Sequence, residues 1–167
     1  MMRVLLLCVV AAVVSSCSRP AKPTPTPDMK LLLGDEWFRA RAAYLGITEE
    51  QARARDAALP EDAPPDGIWD SQTGPQAALI FAAQCAGCHG PEGSLEGVPV
   101  TDPAPRKLGT MGMRMGFLFG RDKMRAGLYQ KISNGGKPPA KPSPMPKFQG
   151  ALAREQIWAL VRYIESL

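Results

Sequence analysis

Five consecutive residues of this 167-residue chain, Cys85-Ala86-Gly87-Cys88-His89, bring two thiols and an imidazole within reach of one another. Residues three apart share a face of a helical turn, so both sulfurs look to one side and the histidine swings beneath them. That set suits covalent haem attachment: the thiols add across two vinyl groups and the adjacent imidazole ligates the iron. Three other chemistries use the same residue types. Structural zinc needs four ligands, but His89 is the sole histidine and no cysteine follows Cys88. A thioredoxin-like dithiol follows a strand in a βαβ unit, whereas Pro75 to Gln84 reads as a helix running into the motif. A plain disulfide between Cys85 and Cys88 is the third.

An iron held by His89 needs its second axial ligand from another residue type, and methionine is the natural one. The candidates are Met111, Met113, Met115, Met124 and Met145. Met145 stands between Pro144 and Pro146, whose fixed φ and missing donors stiffen the loop that presents it.

With these residues in order, the stretch 76–167 resembles the small monohaem c-type cytochromes with His/Met ligation. The resemblance is carried by Leu79-Ile80-Phe81 ahead of the motif, Met145-Pro146-Lys147-Phe148 after it, and a last segment with Trp158 and Tyr163. It implies an all-α cytochrome c fold, its first and last helices crossed around one covalent haem c. It implies His89 as proximal and Met145 as distal ligand, and Phe81, Trp158 and Tyr163 where the two helices cross. It also implies that a proline carbonyl, that of Pro103 or Pro105, accepts the second imidazole N–H of His89. Phe81, Pro105, Met115, Met124, Leu128, Phe148 and Trp158 are expected to line the haem pocket, the run Met111-Gly-Met113-Arg-Met115 filling gaps with thioethers. Two positions depart from the family pattern. Ala77 stands where glycine is frequent, and Ala153 replaces the usual Ser or Thr cap of the last helix, a loss of about 1 kcal/mol.

The elements that position these residues follow from pattern. Ile157, Leu160, Val161 and Ile164 form the stripe of a core-facing helix. Asp122 to Ser133 reads as a helix ended by Asn134-Gly135-Gly136, with Met124, Leu128 and Ile132 recurring every four residues toward the haem. Pro91 to Pro105 reads as a loop.

The amino terminus is an address. Arg3, the apolar run Val4 to Val14 and the small residues after it read as a signal peptide over residues 1–16. The end Val14-Ser15-Ser16-Cys17 resembles the lipobox of bacterial lipoproteins, which implies Cys17 as the lipidated residue; an ordinary cleaved signal is the other reading. Residues 17–28 form a Pro-rich tether, extended at about 3.1 Å per residue and able to hold a domain roughly 30 Å from a bilayer. Residues 29–75 read as a helical extension and loop. Trp37, Phe38, Tyr44 and Leu45 share a helix face, Thr48 to Gln51 forms a capping box opening a second helix toward Leu59, and Pro60 to Pro75 is loop. The extension either packs on the haem domain or stands as a spacer.

Charge divides unevenly. Residues 17–75 carry 7 basic and 10 acidic side chains, and 76–167 carry 12 and 6. The resemblance implies that the basic stretch between the ligands frames the haem edge. There it would either steer an acidic-surfaced redox partner, such as a terminal oxidase, a nitrogen-oxide reductase or another cytochrome, or offset the haem propionates and form a solvated face. An apolar fraction of 45% buries one core, which excludes a large multidomain enzyme. The expectation is an exported electron carrier, lipid-anchored on the periplasmic side of a bacterial membrane, with no nucleic-acid partner and no catalytic residues. The alternative is a haem enzyme or gas-binding sensor whose sixth ligand position is open or labile.

Overall fold

The computed structural model describes residues 21–136 and 145–167; the signal segment, Cys17 and Pro144 lie outside them. The described residues form helices α1 (Gly34–Leu45), α2 (Glu49–Ala57), α3 (Thr73–Ile80), α4 (Ala86–His89), α5 (Met111–Asn134) and α6 (Arg154–Ser166). A π turn, Phe81–Cys85, joins α3 to α4, and a short 3₁₀ turn, Pro91–Gly93, follows. No strand occurs among the described residues, so the all-α expectation stands.

The core lies where α3 crosses α6. Ala77 and Val161 are fully buried, and the small Ala77 side chain lets the two helices approach. Phe81 packs on Tyr163 with ring centroids 5.2 Å apart, and Trp158 stacks on Tyr129 of α5 at 4.4 Å. These pairs hold α3, α5 and α6 as one body.

Residues 29–72 are part of that body. Ile68 belongs to the core, and Leu31, Leu33, Leu59 and Trp69 pack against it. Gln76 of α3 accepts from the Leu32 amide (2.9 Å) and donates to the Lys30 carbonyl (2.7 Å). Trp158 donates its indole N–H to the Pro60 carbonyl at 2.8 Å. Of the two arrangements open to the extension, the packed one is observed. Its helices differ in detail from the expected face: Trp37 is buried but Tyr44 is exposed, and Arg41 takes the inward position instead. The Arg41 guanidinium grips Glu155 of α6 through two bonds of 2.9 and 2.5 Å and meets Asp70 at 2.8 Å. A buried cation with two carboxylates satisfies its donors, and so its placement beneath Tyr44 follows.

The missing cap of α6 is supplied from a distance. Ala153 has no acceptor, but Asp56 at the end of α2 accepts the amides of Glu155 (2.8 Å) and Arg154 (3.1 Å). Two of the helix's unpaired amides are thereby satisfied. Burial pushes the Asp56 carboxyl up from its ordinary value, against the pull of the Glu155 and Arg154 amides and the Arg154 charge.

Two element boundaries differ from expectation. α3 opens at Thr73, inside the expected loop, because Asp70 accepts the amides of Gln72 and Thr73 and Thr73 bonds back to the Ile68 carbonyl. α5 begins at Met111, well before Asp122, with Thr110 accepting the Met113 amide; its two halves meet at Gly120, whose φ of −137° and ψ of 42° are not helical. A glycine tolerates that break inside a helix.

The described part of the tether, 21–28, lies against the domain rather than standing off it. Lys22 pairs with Glu92 and Pro23 abuts Gly74.

Candidate functional site

α3 delivers the motif through the π turn. In an uninterrupted α-helix residues 81 and 85 would share a face, but the Ala86 amide reaches back five residues to the Phe81 carbonyl. The inserted residue shifts the phase. Phe81 stays buried in the helix crossing while Cys85 emerges half-buried and Cys88 exposed on α4. A π turn of this kind is often found at functional sites.

Cys85 and Cys88 are not joined to each other by a disulfide. Burial pushes the Cys85 thiol up to about 12, with Cys88 adding to the effect. A redox dithiol depends on a lowered thiol pKa, so this environment opposes the thioredoxin-like reading. Among the described residues no group of three or more His, Cys, Asp and Glu side chains is arranged to hold a metal ion, so the zinc reading finds no fourth ligand there.

The chain after His89 folds back over it. Gly90 adopts φ 76°, and a Cβ there would lie 2.7 Å from the Leu95 amide nitrogen, so the turn requires glycine. The Leu95 amide bonds the His89 carbonyl at 2.9 Å, and the Leu108 amide bonds that of Gly93 at 2.9 Å. This second bond draws residues 106–108 across the imidazole. His89 Nδ1 lies 2.9 Å from the Arg106 carbonyl oxygen. A carbonyl only accepts, so Nδ1 carries the proton and Nε2 keeps its lone pair for a metal. The expected acceptors, Pro103 and Pro105, are thus corrected to Arg106. The Leu108 to Gly93 bond sets the register of the strand of loop above the ring, and it brings the carbonyl one residue past Pro105 into line.

Met145 is half-buried against the core. Its carbonyl accepts the Gly136 amide at 3.1 Å, and the Phe148 and Gln149 amides bond the Ile132 and Ser133 carbonyls at 3.2 and 3.0 Å. The segment is therefore clipped to the end of α5. Gly135, at φ 71°, makes the close approach possible: a Cβ there would stand 2.8 Å from the Met145 carbonyl oxygen.

Residues 76–167, more than half the chain, match the family model for cytochrome c. The chain belongs to the cytochrome c family. No curated protein and no solved structure is detectably similar to it. Cytochromes c bind haem c covalently and work as haem-based electron carriers, and this cytochrome carries the same cofactor. The residues present fit that group: two thiols one helical turn apart, an imidazole with Nε2 free for iron, and the partly buried apolar side chains of Leu108, Met113, Leu128 and Met145.

The expected pocket residues divide. Met124 and Leu128 are half-buried on α5, and Pro105 is half-buried in the loop. Phe148 is 9% exposed and part of the core. Phe81 and Trp158 are sealed among other side chains at 2% and 1% exposure, so they have almost no surface to offer a porphyrin. Met115 is 42% exposed on the outer side of α5, and Met113 is the member of the methionine run that packs inward. At 100° per residue, two positions apart means opposite faces. Leu108 joins the candidate site without a motif to announce it, and of the expected methionine run Met113 is the one that packs inward, a register readable only once α5 is known to begin at Met111.

Proposed function

We propose that this cytochrome is an exported one-electron carrier, tied to a bacterial membrane by acyl chains on Cys17. Its haem is attached at Cys85 and Cys88, with His89 and Met145 as axial ligands. The observation that carries the reading is the 2.9 Å bond from His89 Nδ1 to the Arg106 carbonyl, which fixes the tautomer whose Nε2 binds iron. When bound, the haem supplies a metal that gains and loses one electron without breaking a bond. The protein's part is to hold its ligands still. His89 is oriented by Arg106 and by the Gly90 turn, and Met145 is held by the hydrogen bonds that clip 145–149 to α5. A neutral imidazole with a thioether stabilises the reduced iron relative to two imidazoles and raises the potential.

Residues 76–167 form the haem domain, and 29–75 brace it. The cations between the ligands support docking of an acidic-surfaced redox partner, an oxidase, a nitrogen-oxide reductase or another cytochrome, on the periplasmic side. Among the described residues no helix is long and apolar enough to cross a membrane. The lipobox-like end Val14-Ser15-Ser16-Cys17 is what supports the lipid anchor. Expression with c-haem maturation machinery tests the attachment. Haem should stay on the denatured polypeptide in the wild type and be lost when Cys85 and Cys88 are both replaced by alanine. Retention of covalent haem by that double variant would refute it.

A further inference from the structure

Before its break at Gly120, α5 presents two stripes. Met113 and Phe117, four residues apart, turn inward; Met113 packs on the core and Phe117 is buried. Met111, Met115, Leu118 and Phe119 fall at i, i+4, i+7 and i+8 on the other side and are 70%, 42%, 59% and 79% exposed. Four large apolar side chains on one exposed helical face form a patch, not scattered single residues. Cations flank it in sequence: between residues 106 and 123 stand Arg106, Lys107, Arg114, Arg121 and Lys123 against the single carboxylate of Asp122. An apolar stripe flanked by basic residues is the composition of a helix that lies at a membrane interface.

With Cys17 lipidated as proposed above, the docked tether would bring that stripe toward a membrane. Lys22 pairs with Glu92, and Gly93, the next residue, receives the Leu108 amide three residues before α5 begins. The chain from Cys17 to Lys22 spans at most about 18 Å when fully extended. A lipid on Cys17 therefore keeps the bilayer close to the Glu92 turn and to the start of α5.

We propose that the outer stripe of α5, Met111, Met115, Leu118 and Phe119 with Arg121 and Lys123, rests on anionic lipid headgroups and orients the cytochrome on its membrane. The proximity argument rests on the Cys17 reading; the chemistry of the stripe does not. The test uses haem-loaded Cys17→Ser protein exported behind a cleavable, non-lipoprotein signal, sedimented with phosphatidylcholine vesicles with and without phosphatidylglycerol. It should bind the anionic vesicles at low salt, release as salt rises, and ignore the neutral ones. Leu118→Ser/Phe119→Ser and Arg121→Glu/Lys123→Glu should each weaken binding about tenfold while leaving the haem absorption spectrum unchanged. Equal sedimentation with both vesicle types, or binding untouched by both pairs, would overturn the proposal. So would a loss of partner reduction rate in these variants with vesicle binding intact, which would make the stripe a protein-docking face. Fatty-acid labelling of the full chain separates the two readings: no label, with vesicle binding by the Cys17→Ser protein retained, removes the anchor and supports the stripe.

Discussion

The imidazole of His89 is placed by a backbone atom. Because the Arg106 partner is a carbonyl, replacing the Arg106 side chain leaves the bond available, whereas a change in loop register does not. Met145 depends in the same way on a residue that does no chemistry. In Gly135→Ala the new Cβ meets the Met145 carbonyl and the φ of 71° is strained for alanine. The variant should lose about 1 to 3 kcal/mol in urea unfolding of the haem-loaded protein and show a weakened iron–methionine signature; a wild-type denaturation midpoint would contradict the clip. At this scale the sequence was informative where side chains carry chemistry. Cys85, Cys88 and His89 stand out by type and spacing, whereas Met145 is one of five methionine candidates and is singled out by the family resemblance. The Arg106 carbonyl does not stand out, since every residue has one and only the fold selects among them. Phe81 and Trp158 were legible as aromatic members of the helix crossing, and that packing leaves them little surface for a cofactor.

Among the elements, α6 shows how a local defect is mended by distant chain. Ala153 reads as a missing cap, and no local pattern points to Asp56, almost a hundred residues earlier, as its replacement. Asp56→Ala should cost about 1 to 2 kcal/mol in chemical denaturation, the range of a lost helix cap. An Ala153→Ser substitution in the same background should recover part of it. Arg41 braces α1 against α6 and the loop before α3. Arg41→Met strands the Glu155 and Asp70 carboxylates and should destabilise by about 3 kcal/mol, with the haem spectrum unaltered once folded. A shift below about 0.5 kcal/mol would show the network to be ornamental. The boundaries of α3 and α5 escaped sequence reading for related reasons. Asp70 and Thr73 form a turn that reads as ordinary loop chemistry, and the glycine-rich stretch Met111–Gly120 has weak helical propensity that tertiary packing overrides.

For the whole molecule, the extension and the haem domain share one core and one electrostatic ledger. Burial alone would raise the Asp70 carboxyl, but the Thr73 and Gln72 amides and the Arg41 guanidinium outweigh it and hold it below the ordinary value. A lowered folded pKa gives stability that is present above about pH 4 and lost as pH falls through the folded value. Asp56, raised by burial, has the opposite sign: its contribution is present below the ordinary carboxylate value and fades as pH rises through the folded one. Urea titrations between pH 6 and 3 should therefore show a shallower acid loss in Asp70→Asn and a steeper one in Asp56→Asn. Parallel curves for both variants would contradict the assignment of sign. The all-α class and the helix crossing were legible through the family resemblance, with the α6 stripe in agreement. The integration of residues 29–75 was not, because it rests on Arg41, Asp56 and Gln76, polar side chains that a hydrophobic pattern treats as surface.

The claim on which the rest turns is that His89 and Met145 hold the iron between them. The far-red absorption of the oxidised, haem-loaded protein reads it directly, in the wild type and in Met145→Ala. The account predicts a weak thioether–iron band in the wild type, absent from the variant, with covalent haem retained in both. A high-spin spectrum in the wild type, or a far-red band that survives Met145→Ala, would contradict it and give the sixth position to another ligand or to none.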